Sequence, residues 1–366
     1  MMCNLRLRKS GAFPAAGLFV LVLVPLLAFG DRQGSAPASR ERSASPSYAG
    51  QWLIDAQPGT NLLSMTLRYP GEDGWQRSNE FMISLDGLNG LTKGQMGSDG
   101  QTVRFQLIRA PGVFKCEGSF NGREGSGGFE FVPDPRFSAE LERRGIGSPS
   151  GEQLLEMALN DTSLALVDEL KGDGYGVPSL DELVRLGRHG VRLVYVQGIR
   201  QLGYNLKSID LLIAMRDHGV SLDYIKGLIS AGYAEVAPNQ LIRTRDHGVT
   251  TEYINGMKSA GYGHLALDAL VQARDHGVTP ELVSELKDQG YTALPLEKLV
   301  RARDHGVTPE FLKSLGDAGY KGVPMEDLIR LRDHGVTPAY IRRLQSHGIS
   351  NLSVAEIIRL KNHGID

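Results

Sequence analysis

Seven histidines recur every 29 residues: His189, His218, His247, His276, His305, His334 and His363. Five of them follow an aspartate, Asp217, Asp246, Asp275, Asp304 and Asp333, and each aspartate follows an arginine, Arg216, Arg245, Arg274, Arg303 and Arg332. Histidine beside a carboxylate is the stuff of metal centres and of general acid–base pairs. Zinc, however, needs three or four ligands converging within about 2.0–2.3 Å of one point. Equivalent residues of a stacked array sit a whole unit apart, and adjacent residues of one helix point about 100° apart. The spacing therefore argues against a metal site. The sequence contains no HExxH, paired CxxC, GxSxG or phosphate-loop motif. His264 and His347 stand outside the pattern without an evident nucleophile or carboxylate partner. Asp86, Glu117 and Glu130 are the obvious carboxylates on expected strands, and nothing pairs them into a hydrolytic site. No catalytic group and no cofactor is expected.

The same interval governs Gly174, Gly203, Gly232, Gly261, Gly290, Gly319 and Gly348. A fixed period without insertions marks a solenoid, in which each unit buries its apolar face on its neighbours. The copy from Thr279 to Val307 shows how a unit folds. Thr279 is an N-cap, Pro280 fits the first helical position, and Gly290 ends the helix in the left-handed conformation with Tyr291 folding back. A second helix starts at Pro295, buries Leu296, Leu299, Val300 and Ala302, and closes at Gly306-Val307. Helices of about ten residues are marginal alone, so stacking must stabilise them. Two apolar columns supply the shared core: Val196, Ile225, Ile254, Val283, Leu312 and Ile341, and Val184, Ile213, Ile242, Val271, Val300, Ile329 and Ile358. Asn160-Asp161-Thr162 holds the place of His-Gly-Val in a degenerate first unit, which suits a terminal cap.

Within the motif, His at a helix end reads as a terminator that bonds free carbonyls or offsets the negative helix end. Asp there is disfavoured by about 0.3–1 kcal/mol. The expectation is a ladder in which each Asp meets the motif Arg of a neighbouring unit, or the N–H groups of an adjacent helix start. Tyr195, Tyr224, Tyr253, Phe311 and Tyr340 share a column that Leu282 interrupts. Such a column is core if it faces inward and a peptide-binding strip if it faces solvent.

Before the array the chain changes character. Arg6, Arg8 and Lys9 precede an apolar run from Ala12 to Phe29 and then Gly30, the order of a secretory signal, with an uncleaved anchor as the alternative. Residues 31–46 lack large apolar side chains and read as a flexible linker. From 47 to 135 the period becomes two, as in Leu63, Met65, Leu67 and Tyr69, which predicts about six strands in a small antiparallel sandwich or barrel. Asn121-Gly122 marks a tight hairpin there, and Gly125-Ser-Gly-Gly128 reads as close strand packing. Cys116 sits in a strand as a small hydrophobe, with no intramolecular disulfide after removal of Cys3. A net charge of −2 gives no electrostatic reason for a nucleic-acid partner.

The phrase Ala302-Arg-Asp-His-Gly-Val-Thr-Pro-Glu310, with Ala318-Gly-Tyr320, resembles short-helix repeats of exported bacterial proteins, and the likeness covers Gly145 to Asp366. Similar repeats follow the membrane part of some metallopeptidases of the β-lactam-sensor and antirepressor type. The stretch Val103 to Phe131 looks like the β-region that often precedes such repeats. That peptidase's zinc motif and membrane spans have no counterpart in the sequence, so the resemblance implies no protease. The fold expected is α+β, a small β-domain followed by an α-helical solenoid of two-helix repeats. The function expected is a non-enzymatic, periplasmic or secreted module binding a protein or peptide, touching membrane only through an uncleaved N-terminus. The alternative is an accessory of envelope signalling that works with a membrane metallopeptidase.

Overall fold

The computed structural model describes residues 48–71 and 74–365. The expected signal or anchor and the linker lie outside the described residues. Seven strands form one antiparallel sheet: β1 (Tyr48–Ala56), β2 (Leu62–Pro70), β3 (Gln76–Ser84), β4 (Leu88–Asn89), β5 (Thr102–Arg109), β6 (Gly112–Asn121) and β7 (Glu124–Pro133). Their order is β3-β2-β1-β7-β6-β5-β4, so the first and last long strands meet in the middle. The alternation seen in the sequence sends Trp52, Ile54, Met65, Leu67, Phe105, Phe114, Cys116 and Phe131 to one buried face. Burial pushes the Cys116 thiol up to about 12.

The α+β architecture is the one expected, and its β-domain has seven strands where about six were expected. That domain is a single curled sheet, a half-barrel, whose seventh strand is the two-residue β4, too short to show a period. A helix packs against the middle strands of the sheet. That helix, α3 (Gly151–Leu159), contacts β1, β6 and β7 and buries six consecutive residues, Leu154 to Leu159. The Gly125–Gly128 run packs tightly, as expected: a β-carbon on Gly127 would lie 2.1 Å from the Glu117 carbonyl oxygen. Trp52 crosses this bare strip and donates its indole N–H to that carbonyl (3.2 Å). The β6–β7 turn is Gly122-Arg123, with the positive φ, 61°, at Gly122 alone; Asp99 accepts its amide at 2.7 Å.

After the short helix α1 (Lys93–Met96), sixteen helices of nine residues follow among the described residues, from α2 (Pro135–Arg143) through α3, α4 (Leu164–Gly172) and α5 (Leu180–Arg188) to Val354–Asn362. Each packs on the helix two places along, which gives two layers of stacked helices. The caps expected for Thr279–Val307 are present. The Leu282 amide donates to Thr279 Oγ1 (3.2 Å) with Pro280 at the first helical position. Both core columns are buried except at Ile242, which is half-buried. In the degenerate first unit Asp161 adopts φ 56° where later units place glycine. Among the described residues no helix is long and apolar enough to cross a membrane.

Sheet and array meet at a buried carboxylate. Glu156 on α3 is 5 % exposed. It accepts hydrogen bonds from the Tyr69 hydroxyl of β2, Arg77 of β3 and Arg188 of α5, each at 3.2 Å. Arg77 also holds Glu152 at 2.8 Å. Burial, then the negative charge of Glu156, raises the Tyr69 phenol above its ordinary value.

Candidate functional site

The repeated motif is where chemistry was possible, and each of its residues has a distinct place. In each full repeat, His is the C-cap of the second helix and Gly follows with positive φ, as at Gly277 (φ 69°). The Gly277 amide donates to the Arg274 carbonyl (3.0 Å) and the Val278 amide to Ala273 (2.8 Å), the paired bonds of a Schellman ending. The Val side chain is fully buried in Val191, Val220, Val249 and Val278.

The Asp partners correct the expected Asp–Arg ladder. Asp217, Asp246, Asp275, Asp304 and Asp333 each pair with the histidine of the preceding unit: His189, His218, His247, His276 and His305. The Nδ1 to Oδ1 distances are 2.5–2.7 Å. A carboxylate only accepts, so Nδ1 carries the proton and donates. His334 meets Asn362 at 3.0 Å, and His363 ends the row. The pairs are exposed, at 37–45 % of each side chain.

The arginines turn elsewhere because a step of one residue rotates a side chain by about 100°. Arg216, Arg245 and Arg274 lie over the rings of Tyr195, Tyr224 and Tyr253, and Arg332 over Phe311, at 4.9–5.3 Å from the ring centroids. Arg303 faces the Leu282 break in the column and has no ring. Its Nε lies 3.3 Å from where a Gly277 β-carbon would be.

The aromatic column is therefore core, and its reading as an exposed binding strip is corrected. Tyr195, Tyr224, Tyr253, Phe311 and Tyr340 are 1–6 % exposed. Tyr195, Tyr224 and Tyr253 donate their hydroxyls to the carbonyls of Val220, Val249 and Val278 in the next unit, at 2.8–3.0 Å. Tyr340 does the same to Ile365 at 2.6 Å. Desolvation pushes the phenols of Tyr195 and Tyr253 up to about 12.

Other candidates stay apart. Glu117 forms a two-pronged pair with Arg104 (2.9 and 3.1 Å), which holds its carboxyl below the usual range through hydrogen bonding. Asp86 lies in the single helical turn Leu85–Gly87, not on a strand, and Glu130 is exposed on β7. Among the described residues no group of three or more His, Cys, Asp or Glu is placed to hold a metal ion.

Two features escaped the sequence reading. Arg188 occupies the aspartate's place in the ladder register, and it turns back to Glu156 instead of extending the row. The reversal of charge at that position was the available signal. The second feature is the tyrosine after the first helix in the units from Tyr175 to Tyr320. Tyr233, Tyr262, Tyr291 and Tyr320 donate to the carbonyls of Leu265, Leu294, Val323 and Leu352, 32 residues on. In the sequence their Gly-Tyr setting marks only a residue that folds back on a helix end, as at Tyr291. Comparison with known proteins gives no matching family model and no match among curated proteins.

Proposed function

We propose that this chain is a non-enzymatic, exported scaffold that binds a protein or peptide. One observation carries the reading: the residues of the motif that could act on a substrate are bonded to the adjacent repeat. His and Asp hold each other, Arg covers an aromatic ring, and the Val carbonyl receives a phenol from Tyr195, Tyr224 and Tyr253. Chemistry spent on stacking leaves an extended surface whose use is contact. The buried column cannot supply that contact. The half-buried tyrosines 175, 204, 233, 262, 291 and 320 can, since four of their hydroxyls are fixed and the rings keep one edge at the surface.

A second reading, an accessory of envelope signalling acting with a membrane metallopeptidase, draws support from the Glu156 joint. Three elements of sheet and array converge on one carboxylate there, a means of passing an event at the sheet to the repeats. A gene for such a peptidase beside this one would favour it. Affinity capture with the full chain from the exported fraction, followed by mass spectrometry, tests the scaffold. A specific polypeptide retained across independent preparations is expected. Absence of any partner, together with turnover of a defined substrate by the purified chain, contradicts it.

A further inference from the structure

Position 316 lacks a side chain that the repeats directly on either side of it use. In the same column, Lys171, Lys287 and Gln345 reach back 27 residues to a carbonyl at the preceding unit's helix end. Lys171 donates to Arg144 (3.4 Å), Lys287 to Ala260, and Gln345 to Ala318 (2.8 Å). Gly316 stands 29 residues after Lys287 and has no side chain to send. The carbonyl in register belongs to Gln289, and among the described residues it accepts no hydrogen bond.

The missing side chain leaves a cleft of about 390 Å³. Tyr291 and Tyr320 line it, and their hydroxyls are already bonded to Val323 and Leu352 (2.8 and 2.9 Å), so the rings face the cleft as apolar surfaces. Asp288, Asp317, Lys313 and Lys321 line it as well, and none forms an ion pair among the described residues. The corresponding cleft between Tyr175 and Tyr204 is smaller, about 240 Å³, and holds Arg200, which pairs with Asp173 at 2.7 Å. That repeat fills and neutralises the space from within. The repeat at 316 does not.

We propose that this cleft binds a small zwitterion of the amino-acid type. Its ammonium takes the place of the absent lysine, donating to the Gln289 carbonyl beside Asp288 and Asp317. Its carboxylate pairs with Lys313 and Lys321, and its carbon skeleton lies between the two rings. A ligand with one charge satisfies only one pair and meets repulsion from the other. The volume is within the range of small-molecule sites. This deepens the binding reading by naming a ligand class, yet the small ligand is tested on purified chain, so its failure leaves the capture of a polypeptide unaffected.

The test is calorimetric titration of the full chain with L-alanine and with glycylglycine, and with ethylamine and acetate as single-charge probes. One-to-one binding of either zwitterion with a Kd below about 10 mM is expected, with both single-charge probes at least about tenfold weaker. Gly316→Lys restores the side chain of the flanking repeat and should weaken binding by at least about tenfold without lowering the melting temperature. Lys313→Ala, on an exposed helix face, should weaken it by a similar factor if Gly316→Lys does not fold. No binding of either zwitterion, equal binding of ethylamine, or unchanged affinity in the folded variants overturns the proposal.

Discussion

Phe311→Tyr adds one oxygen at a place the structure has prepared for it. The ring already sits in the aromatic column with Arg332 at 5.0 Å, as Arg274 sits at 5.1 Å over Tyr253. In the tyrosine repeats the hydroxyl reaches the carbonyl 25 residues on. The equivalent acceptor here is Val336, whose carbonyl receives no hydrogen bond among the described residues. Leu331 occupies the neighbouring column as Leu360 does beside Tyr340, so a phenol has room in a matching setting. Nothing apolar is lost, and one net hydrogen bond contributes about 0.5–1.5 kcal/mol. For an array this long that raises the melting temperature by about 1–6 °C. Thermal and urea melts followed by circular dichroism read the effect. An unchanged or lowered midpoint refutes the claim that the phenol–carbonyl bond ties successive units. Leu282→Tyr should gain a comparable bond and, through Arg303, about 0.5–1 kcal/mol from the ring.

Glu156→Ala should cost about 3 kcal/mol or more in urea unfolding, because Tyr69, Arg77 and Arg188 lose their common acceptor in a buried joint. Gly127→Ala should destabilise the sheet by about 3 kcal/mol or more, since the new methyl carbon would stand 2.1 Å from the Glu117 carbonyl oxygen and 2.6 Å from the Gly118 Cα; expression and melting read it. Stability should fall on acidification from about pH 5 to about pH 3. The carboxyls of Glu252, Glu281 and Glu310 are held below their usual range by backbone N–H groups, then by the Thr250, Thr279 and Thr308 hydroxyls, with Arg245, Arg274 and Arg303 contributing. A folded value below the unfolded one means their contribution is full above about pH 4.3 and is lost as pH falls through the folded value. Replacing all three by Gln should flatten that part of the pH profile, and an unaltered slope counts against the assignment.

The repeat period made the array legible because start and stop signals are local: Thr279, Pro280 and Gly290 act within one turn of their own helix. Column burial followed from the same period. Pairing between units was not legible, because it depends on which way a side chain leaves the helix. Asp275 and Arg274 are adjacent in sequence, yet one meets His247 at the surface and the other covers Tyr253 in the core. The strands were visible where they alternate, but the two residues of β4 carry no pattern. That the curled sheet packs on α3 depends on Leu154–Leu159, a run apolar on several faces, except at Glu156, whose three donors come from 32 to 87 residues away.

The motif joins each repeat to the next. A double-mutant cycle on His218 and Asp246, paired at 2.7 Å across two units, tests it most directly through urea unfolding of His218→Ala, Asp246→Ala and the double variant. The predicted coupling is favourable and about 0.3–1 kcal/mol, the scale of an exposed charged hydrogen bond. Strict additivity at that pair, with coupling instead between Asp246 and an arginine, would contradict the claim.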